Sequence, residues 1–277
     1  MSVSQSGRLS EQQKQTQANE SIFHEKARSL DKKVGKVSQM MPERLKICFP
    51  RLTFRFRPDL PKDEVNRVLS SIDPSLGQTL FVPNSSIWPD GGIIEVKDDN
   101  GCWRVVLVSE AKQQGKDMEN IRNGVLVGKN KDRDLMPAGN AIERAYKNIS
   151  EFANFMIGEK HFPYVLFLEG SNFLTQNIVV TRPDGTTVTL NYTDGKINRL
   201  DRLTASNFGL PINTNLCQNR FATVNNMLLM LQAVSIYTKG DGSQWSEDEM
   251  AEIMLGIAKT SLKVLASDLF GQLTEAK

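Results

Sequence analysis

Histidine and cysteine are scarce in this chain, and each scarcity removes a class of chemistry. Its 277 residues hold two histidines, His24 and His161, and three cysteines, Cys48, Cys102 and Cys217. Three thiols so far apart fit neither a disulfide framework nor a zinc cluster, and they point to a reducing compartment. His161, just before Phe162-Pro163, reads as a structural residue at the start of a strand. No apolar run approaches the roughly 20 residues of a membrane helix. The N-terminus has no hydrophobic signal core, so the expected location is the cytoplasm. Net charge is also small: 34 Lys and Arg against 32 Asp and Glu leave +2, so any cationic face must be local. Arg51, Arg55 and Arg57 form one local set, and Lys129, Lys131 and Arg133 another. Lys196, Arg199 and Arg202 form a third, although most charge runs are only solvated faces. A phosphate-binding glycine loop is missing as well. Gly124-x-x-x-Gly128-Lys129-Asn130 is one residue short and lacks the Ser or Thr that a phosphate-bound metal needs.

What is present describes a soluble globular protein. Hydrophobic residues make up 39% and charged residues 24%, enough for a sizeable core. Residues 1–20 are rich in Ser and Gln and read as a flexible arm. No repeat or Pro/Gly linker divides the remainder, so 21–277 reads as one domain. A helix is expected over Ile22–Val37, a break at Ile47-Cys48-Phe49-Pro50, and a strand over Leu52–Phe56. Val65, Val68, Leu69 and Ile72 share one face of a helix over Asp63–Ile72. Ile142, Ala145, Ile149, Phe152, Ala153 and Met156 form a stripe on a helix over Asn140–Met156. Tyr164–Leu168 is wholly apolar, as in a strand covered on both faces. Strand, helix and strand in this succession imply a parallel crossover. A hairpin over Ile178–Tyr192 turns at Pro183-Asp184-Gly185, and Ile236-Tyr237 supplies a short last strand. Ser246 and Glu249 make a capping box, with Trp245 and Met250 as a hydrophobic staple, for a final helix reaching Leu269. The fold class is therefore α/β, a mixed central sheet flanked by helices.

One segment carries chemistry. Gly91 to Lys97 and Cys102 to Lys112 read as a hairpin around Asp98-Asp99-Asn100-Gly101, where Asn and Gly tolerate positive φ. Side chains alternate along a strand, so Glu110 and Lys112 share a face that Ala111 does not. If Asp90 opens the neighbouring strand, two carboxylates and one ammonium converge at the end of a sheet. That set can hold a hard divalent cation and place a lysine beside a water or phosphate oxygen. Looser copies of the pattern lack its context. Glu275-Ala276-Lys277 ends a helix, Pro183-Asp184 with Asp194-Gly195-Lys196 reads as turns, and Pro58-Asp59 is separated from Glu95-Val96-Lys97 by a helix and a loop. Only Val105 to Val108 leads a buried strand into the set. On pattern alone, a metal-dependent phosphodiesterase and an ordinary solvated hairpin both remain open.

A second segment, Leu135 to Arg144, lies at the start of the amphipathic helix. Pro137, Ala138 and Gly139 make an extended approach, and Asn140 is a good N-cap. An ordinary capped helix explains this. So does a reading head for DNA, because Asn pairs with adenine and Arg with guanine in the major groove.

Met136-Pro137-Ala138-Gly139-Asn140-Ala141-Ile142-Glu143-Arg144, with Pro89-Asp90-Gly91-Gly92 and Glu110-Ala111-Lys112, resembles the EcoRI-type restriction endonucleases of the PD-(D/E)xK superfamily. Ser171 to Thr175 and Asn198 to Thr204 share the likeness, which runs from about residue 8 to the C-terminus. Departures at Trp88, Gln113 and Pro137 place the chain nearest an isoschizomer of the RsrI kind. The resemblance implies a homodimeric bacterial type II enzyme that cuts double-stranded DNA at the palindrome GAATTC after the G, with Mg²⁺ as cofactor. It also implies a DNA methyltransferase protecting the same site. Asp90, Glu110 and the carbonyl of Ala111 would bind the metal, and Lys112 would act on the attacking water and the scissile phosphate. Met136, Ala138, Gly139, Asn140, Ala141, Glu143 and Arg144 would read bases, with Gln114, Arg199 and Arg202 at the same interface. Asn84, Ser85, Ser86, Lys116, Lys147 and Asn148 would clamp the backbone. A structure-selective or repair nuclease, or a DNA-binding protein without cleavage, are the alternatives.

Overall fold

A computed structural model describes residues 29–77, 84–115, 118–126 and 141–269. The first helix, α1, is described over 29–48, extending well past the expected end at Val37. The reason is spacing: Leu30, Val34, Val37, Met41 and Leu45 recur at three or four residues and are all buried, so one apolar stripe continues to the loop at Phe49. The expected arm and the start of this helix lie outside the described residues.

Strands β1 (Phe54–Arg57) and β2 (Leu60–Pro61) precede helix α2 (Lys62–Ile72), which stops at Asp73-Pro74 as expected. Short strand β3 (Ser86–Ile87) pairs with β2. The hairpin forms from β4 (Ile93–Lys97) and β5 (Trp103–Gln113). At its turn Gly101 alone takes a positive φ, +82°. Asn100 is held differently, its N–H donating to Asp98 Oδ1 at 3.0 Å. A short helix α3 (Met118–Arg122) lies within the polar stretch, and α4 (Ala141–Phe155) is the expected amphipathic helix. After β6 (Tyr164–Glu169) come the hairpin β7 (Ile178–Thr181) and β8 (Thr187–Leu190), then α5 (Leu200–Ser206). Strands β9 (Arg220–Val224) and β10 (Met227–Leu231) form a third hairpin, which was not expected. Its turn residues Asn225 and Asn226 have φ +50° and +63°, as a tight two-residue connection requires. Strand β11 (Ser235–Thr238) and helix α6 (Glu247–Val264) complete the order, with the Ser246–Glu249 capping box in place.

The central sheet has the order β1-β4-β5-β6-β11. Its β1/β4 and β4/β5 pairs are antiparallel, and β5/β6 and β6/β11 are parallel. The mixed sheet and the crossover through α4 are thus as expected. One face packs on α1 and α6, where Val37, Met41, Met254 and Ile257 meet Ile94, Val106 and Phe167. The other packs on α2, α4 and α5, where Val65, Ile149, Phe152 and Leu203 meet Ile93, Val108 and Leu166. Among the described residues no helix is long and apolar enough to cross a membrane.

His161 is the structural residue it was expected to be. It is fully buried, its Nε2 lies 2.8 Å from the Val105 carbonyl, and its Nδ1 has no hydrogen-bond partner. Burial disfavours the cation and lowers its pKa, against the Val105 carbonyl and Glu159, while Arg104 lowers it further. The unfolded chain therefore takes up this proton first. Stability is present above the ordinary histidine value of about 6.5 and is lost as pH falls through it toward the folded value. Thermal melts at neutral and acidic pH should show that loss, and His161→Asn should reduce it. An equal acid loss in the variant would sink this assignment.

Candidate active site

The site is assembled where β5 meets the turn before β4. Gly91 N donates to Ser109 O at 2.9 Å and Ser109 N to Gly92 O at 3.2 Å, carrying the ladder back to Asp90. The approach is tight, since a Cβ on Gly91 would lie 2.1 Å from Ser109 Oγ. Gly92 takes φ +72°, and a Cβ there would meet the Phe56 ring at 2.7 Å. Behind the turn, Ser38 of α1 shares a buried 2.6 Å hydrogen bond with Ser109. Glycine at 91 and 92 is therefore what lets the Asp90 backbone reach the end of β5.

Lys112 Nζ gathers the expected metal ligands. It lies 2.5 Å from Asp90 Oδ2, 2.5 Å from Glu110 Oε1 and 2.9 Å from the Ala111 carbonyl. Asp90 N donates to Glu110 Oε2 at 3.3 Å, and Ala111 N to Asp90 Oδ2 at 3.3 Å. Glu110 also accepts from Asn148 Nδ2 at 3.2 and 3.3 Å and from Tyr164 Oη at 3.3 Å. Burial raises the Glu110 carboxyl to about 7, with Asp90 adding to the rise and Lys112 and Asn148 opposing it. Burial opposes the Lys112 charge, but Glu110 and Asp90 outweigh it and raise its pKa. The ion pair favours both charges, so the rise at Glu110 reflects how little water reaches it. Tyr164 is raised well above the usual phenol range by burial and by both carboxylates, so its hydroxyl stays a donor.

Two carboxylates and a main-chain carbonyl converging on one cation form an all-oxygen set. That chemistry fits a hard divalent ion such as Mg²⁺. Bound there, such an ion supplies stabilisation of phosphoryl charge and a more acidic water. Asp31 of α1 lies close enough to matter electrostatically. Burial, then the Asp90 charge, push its carboxyl to about 6, against Lys112. No group of three His, Cys, Asp or Glu that could hold a metal occurs among the described residues, so Asp31 adds charge without completing a third ligand.

The remaining site residues are placed unevenly. Met136, Ala138, Gly139, Asn140 and Lys116 lie outside the described residues, as does Pro137. Ala141, Glu143 and Arg144 fall in the first turn of α4, where only the backbone is described. Asn148, expected on DNA backbone, places its amide on Glu110. Lys147 is exposed on the same helix. Asn84 is exposed with φ +62°, and Ser85 and Ser86 are half-buried at β3. Gln114 is buried, with Oε1 unpartnered. Its carbonyl accepts from Asn172 N at 3.4 Å, and the Asn172 carbonyl from Arg199 N at 3.2 Å. Two hydrogen bonds therefore tie the end of the catalytic strand to the start of α5, which carries Arg202 exposed. Tyr164, Asp31 and Ser38 were missed as site residues. Asp31, Gly35 and Ser38 recur at helical spacing on α1, a signal the sequence did contain. Nothing in an apolar run marked Tyr164.

Glu110 must lose its proton before it binds a cation, so cation affinity should rise as pH climbs through about 7. Phosphodiester cleavage titrated with Mg²⁺ at about pH 6 should need about tenfold more metal than at about pH 8. Equal requirements would show that Glu110 is already ionised at the lower pH.

A family described as restriction endonuclease EcoRI matches residues 16–272. The type II restriction enzyme EcoRI of Escherichia coli is 61% identical over 270 residues, 98% of each chain. The type II restriction enzyme RsrI of Cereibacter sphaeroides is 50% identical over 249 residues, 90% of this chain and 89% of that one. Identity is thus higher to EcoRI than to RsrI, reversing the order expected from Trp88, Gln113 and Pro137. Matches of this extent, together with the convergence of Asp90, Glu110 and Lys112, establish that the chain belongs to the EcoRI restriction endonuclease family.

Proposed function

We propose that this chain is a type II restriction endonuclease that hydrolyses double-stranded DNA at GAATTC after the G, leaving 5′ overhangs, with Mg²⁺ as cofactor. The observation that carries the proposal is the meeting of Asp90, Glu110 and the Ala111 carbonyl on the Lys112 ammonium. Asp90, Glu110 and the Ala111 carbonyl hold the metal. Lys112, freed toward the substrate, orients the attacking water and offsets charge growing on the scissile phosphate. Base reading falls to Met136, Ala138, Gly139, Asn140, Ala141, Glu143 and Arg144, assisted by Gln114, Arg199 and Arg202. Asn84, Ser85, Ser86, Lys116, Lys147 and Asn148 contact the backbone, which positions the protein without specifying sequence. The enzyme works in the bacterial cytoplasm as one domain over 21–277, beside a methyltransferase protecting the same site.

A palindrome calls for a two-fold dimer, in which each subunit presents the same surface to its half-site. The β9–β10 hairpin supports this, because Phe221, Val224, Met227, Leu228 and Leu229 are exposed there, Leu228 by 70%. Val224, Met227 and Leu229 share one face of the hairpin and Phe221 and Leu228 the other. Apolar side chains are therefore exposed on both faces, which marks an interaction site, and the occupant assigned to it is a second copy of the chain. Leu228→Asp should shift the protein from dimer to monomer in analytical ultracentrifugation. An unchanged dimer would exclude this hairpin from the interface.

Purified protein with Mg²⁺ and plasmid DNA should give discrete fragments whose sequenced ends begin AATTC. Smearing would indicate an unspecific nuclease, and no cutting a protein that only binds. Glu110→Gln should retain sequence-selective binding while cleavage falls by about a hundredfold or more, the upper range for weakening a metal site. Cleavage retained in that variant would remove Glu110 from the chemistry.

A further inference from the structure

Glu110 is buried, and a buried carboxylate performs one task only if its rotamer is fixed. Three groups besides the Lys112 ammonium donate to its oxygens. Asp90 N belongs to the turn and comes with the fold. The other two are side chains from separate elements, Tyr164 at the start of β6 and Asn148 within α4. The Tyr164 ring is packed edge-on against Phe152 of α4, with centroids 5.7 Å apart, and stacked on Phe162 at 5.8 Å. Both rings packed on it are apolar, and the hydroxyl donates to Glu110 Oε2. Asn148 reaches both Glu110 oxygens from the helix whose first turn holds the proposed base-reading residues.

We propose that Tyr164 and Asn148 are the positioning residues of Glu110. The Tyr164 hydroxyl pins Oε2 from the sheet, Asn148 holds the same carboxylate from α4, and Oε1 is left toward the cation. This rests on the endonuclease reading above. It makes Asn148 a direct link between the recognition helix and the metal ligand.

Tyr164→Phe removes one oxygen and keeps the ring packing, so the fold is expected to survive. The Mg²⁺ concentration for half-maximal cleavage should rise about tenfold, the lower end for losing a partner of a metal-binding side chain. Affinity for GAATTC duplex without metal, and the thermal midpoint, should stay at wild-type values. Asn148→Ala should move the metal requirement in the same direction. Calcium titrated calorimetrically into the protein–DNA complex should bind correspondingly more weakly in both variants. That arm reads Tyr164 and Asn148 whether or not the wild type cuts at GAATTC, so the two ideas fail separately. Wild-type calcium affinity in Tyr164→Phe would overturn the proposal. So would a loss of DNA affinity and thermal stability equal to the loss of metal affinity, because a purely structural role predicts that.

Discussion

Val106 has no partner across the β4–β5 ladder. Ile94 faces Leu107 and Glu95 faces Val105, so β5 carries one extra residue between them. Val106 and Leu107 accordingly both pack toward α1 and α6, while Val105 and Val108 pack toward α4. Parity along the strand reverses at that point. Without the bulge, residue 110 would share the face of residue 106 and enter the dry layer under α1 and α6. With it, Ser109 and Ala111 take that layer, and Glu110 and Lys112 face Asn148 and Tyr164 on the α4 side. An ionised, unpaired carboxylate in the dry layer would cost on the order of several kcal/mol. On the observed side it meets an ammonium, an amide and a hydroxyl. One inserted residue therefore decides whether the motif is a site or a defect.

A bulge leaves backbone groups out of the ladder, and these need partners elsewhere. The Val106 carbonyl accepts from Ser261 Oγ of α6 at 2.8 Å. Leaving that carbonyl buried and unpaired would cost about 1–3 kcal/mol. Ser38 performs a parallel task from α1, where its hydrogen bond to Ser109 fixes the strand just before Glu110. Both serines are fully buried in otherwise apolar helix faces. Their presence there is explained by the strand they serve rather than by the helices that carry them. Each helix of that layer thus contributes one polar contact to the geometry of a site on the opposite face.

The sequence made much of this legible, and the bulge explains what it did not. The hairpin was readable because Asp98 to Gly101 is turn chemistry between apolar runs, and Tyr164 to Leu168 could only be a buried strand. The β5–helix–β6 crossover followed from their spacing, and Glu110, Lys112 and Asp90 from charged residues placed where a sheet ends. Val105-Val106-Leu107-Val108 is apolar at every position, so no alternation marked the extra residue. Cross-strand pairing alone reveals it. Tyr164 was hidden for the same reason, since a phenol within an apolar run looks like core until its hydroxyl finds a carboxylate. Helix α1 passes the expected end at Val37 because Met41 and Leu45 extend the buried stripe, and it stops at the expected break of Ile47 to Pro50. The β9–β10 hairpin escaped notice because its apolar residues face outward, against the rule that periodic apolar runs mark the core.

Charge arithmetic at the site connects these pieces to the whole molecule. Asp90 and Glu110, when ionised, outnumber the Lys112 ammonium by one negative charge, and Asp31 adds to the excess as it ionises. That excess repels a DNA phosphate, and the chain's overall charge is too near neutral to overcome it at long range. A divalent cation held there would cancel the excess when Asp31 is ionised and leave a positive charge when it is not, removing the repulsion of a phosphate. It would also compete with the Lys112 ammonium for the same three oxygens. On the proposed function, approach to DNA would draw on exposed cations outside the site, such as Lys147 on α4 and Arg202 on α5. Chemistry would then need the cation and the phosphate together, and a site wired in this way would stay inert toward stray phosphodiesters.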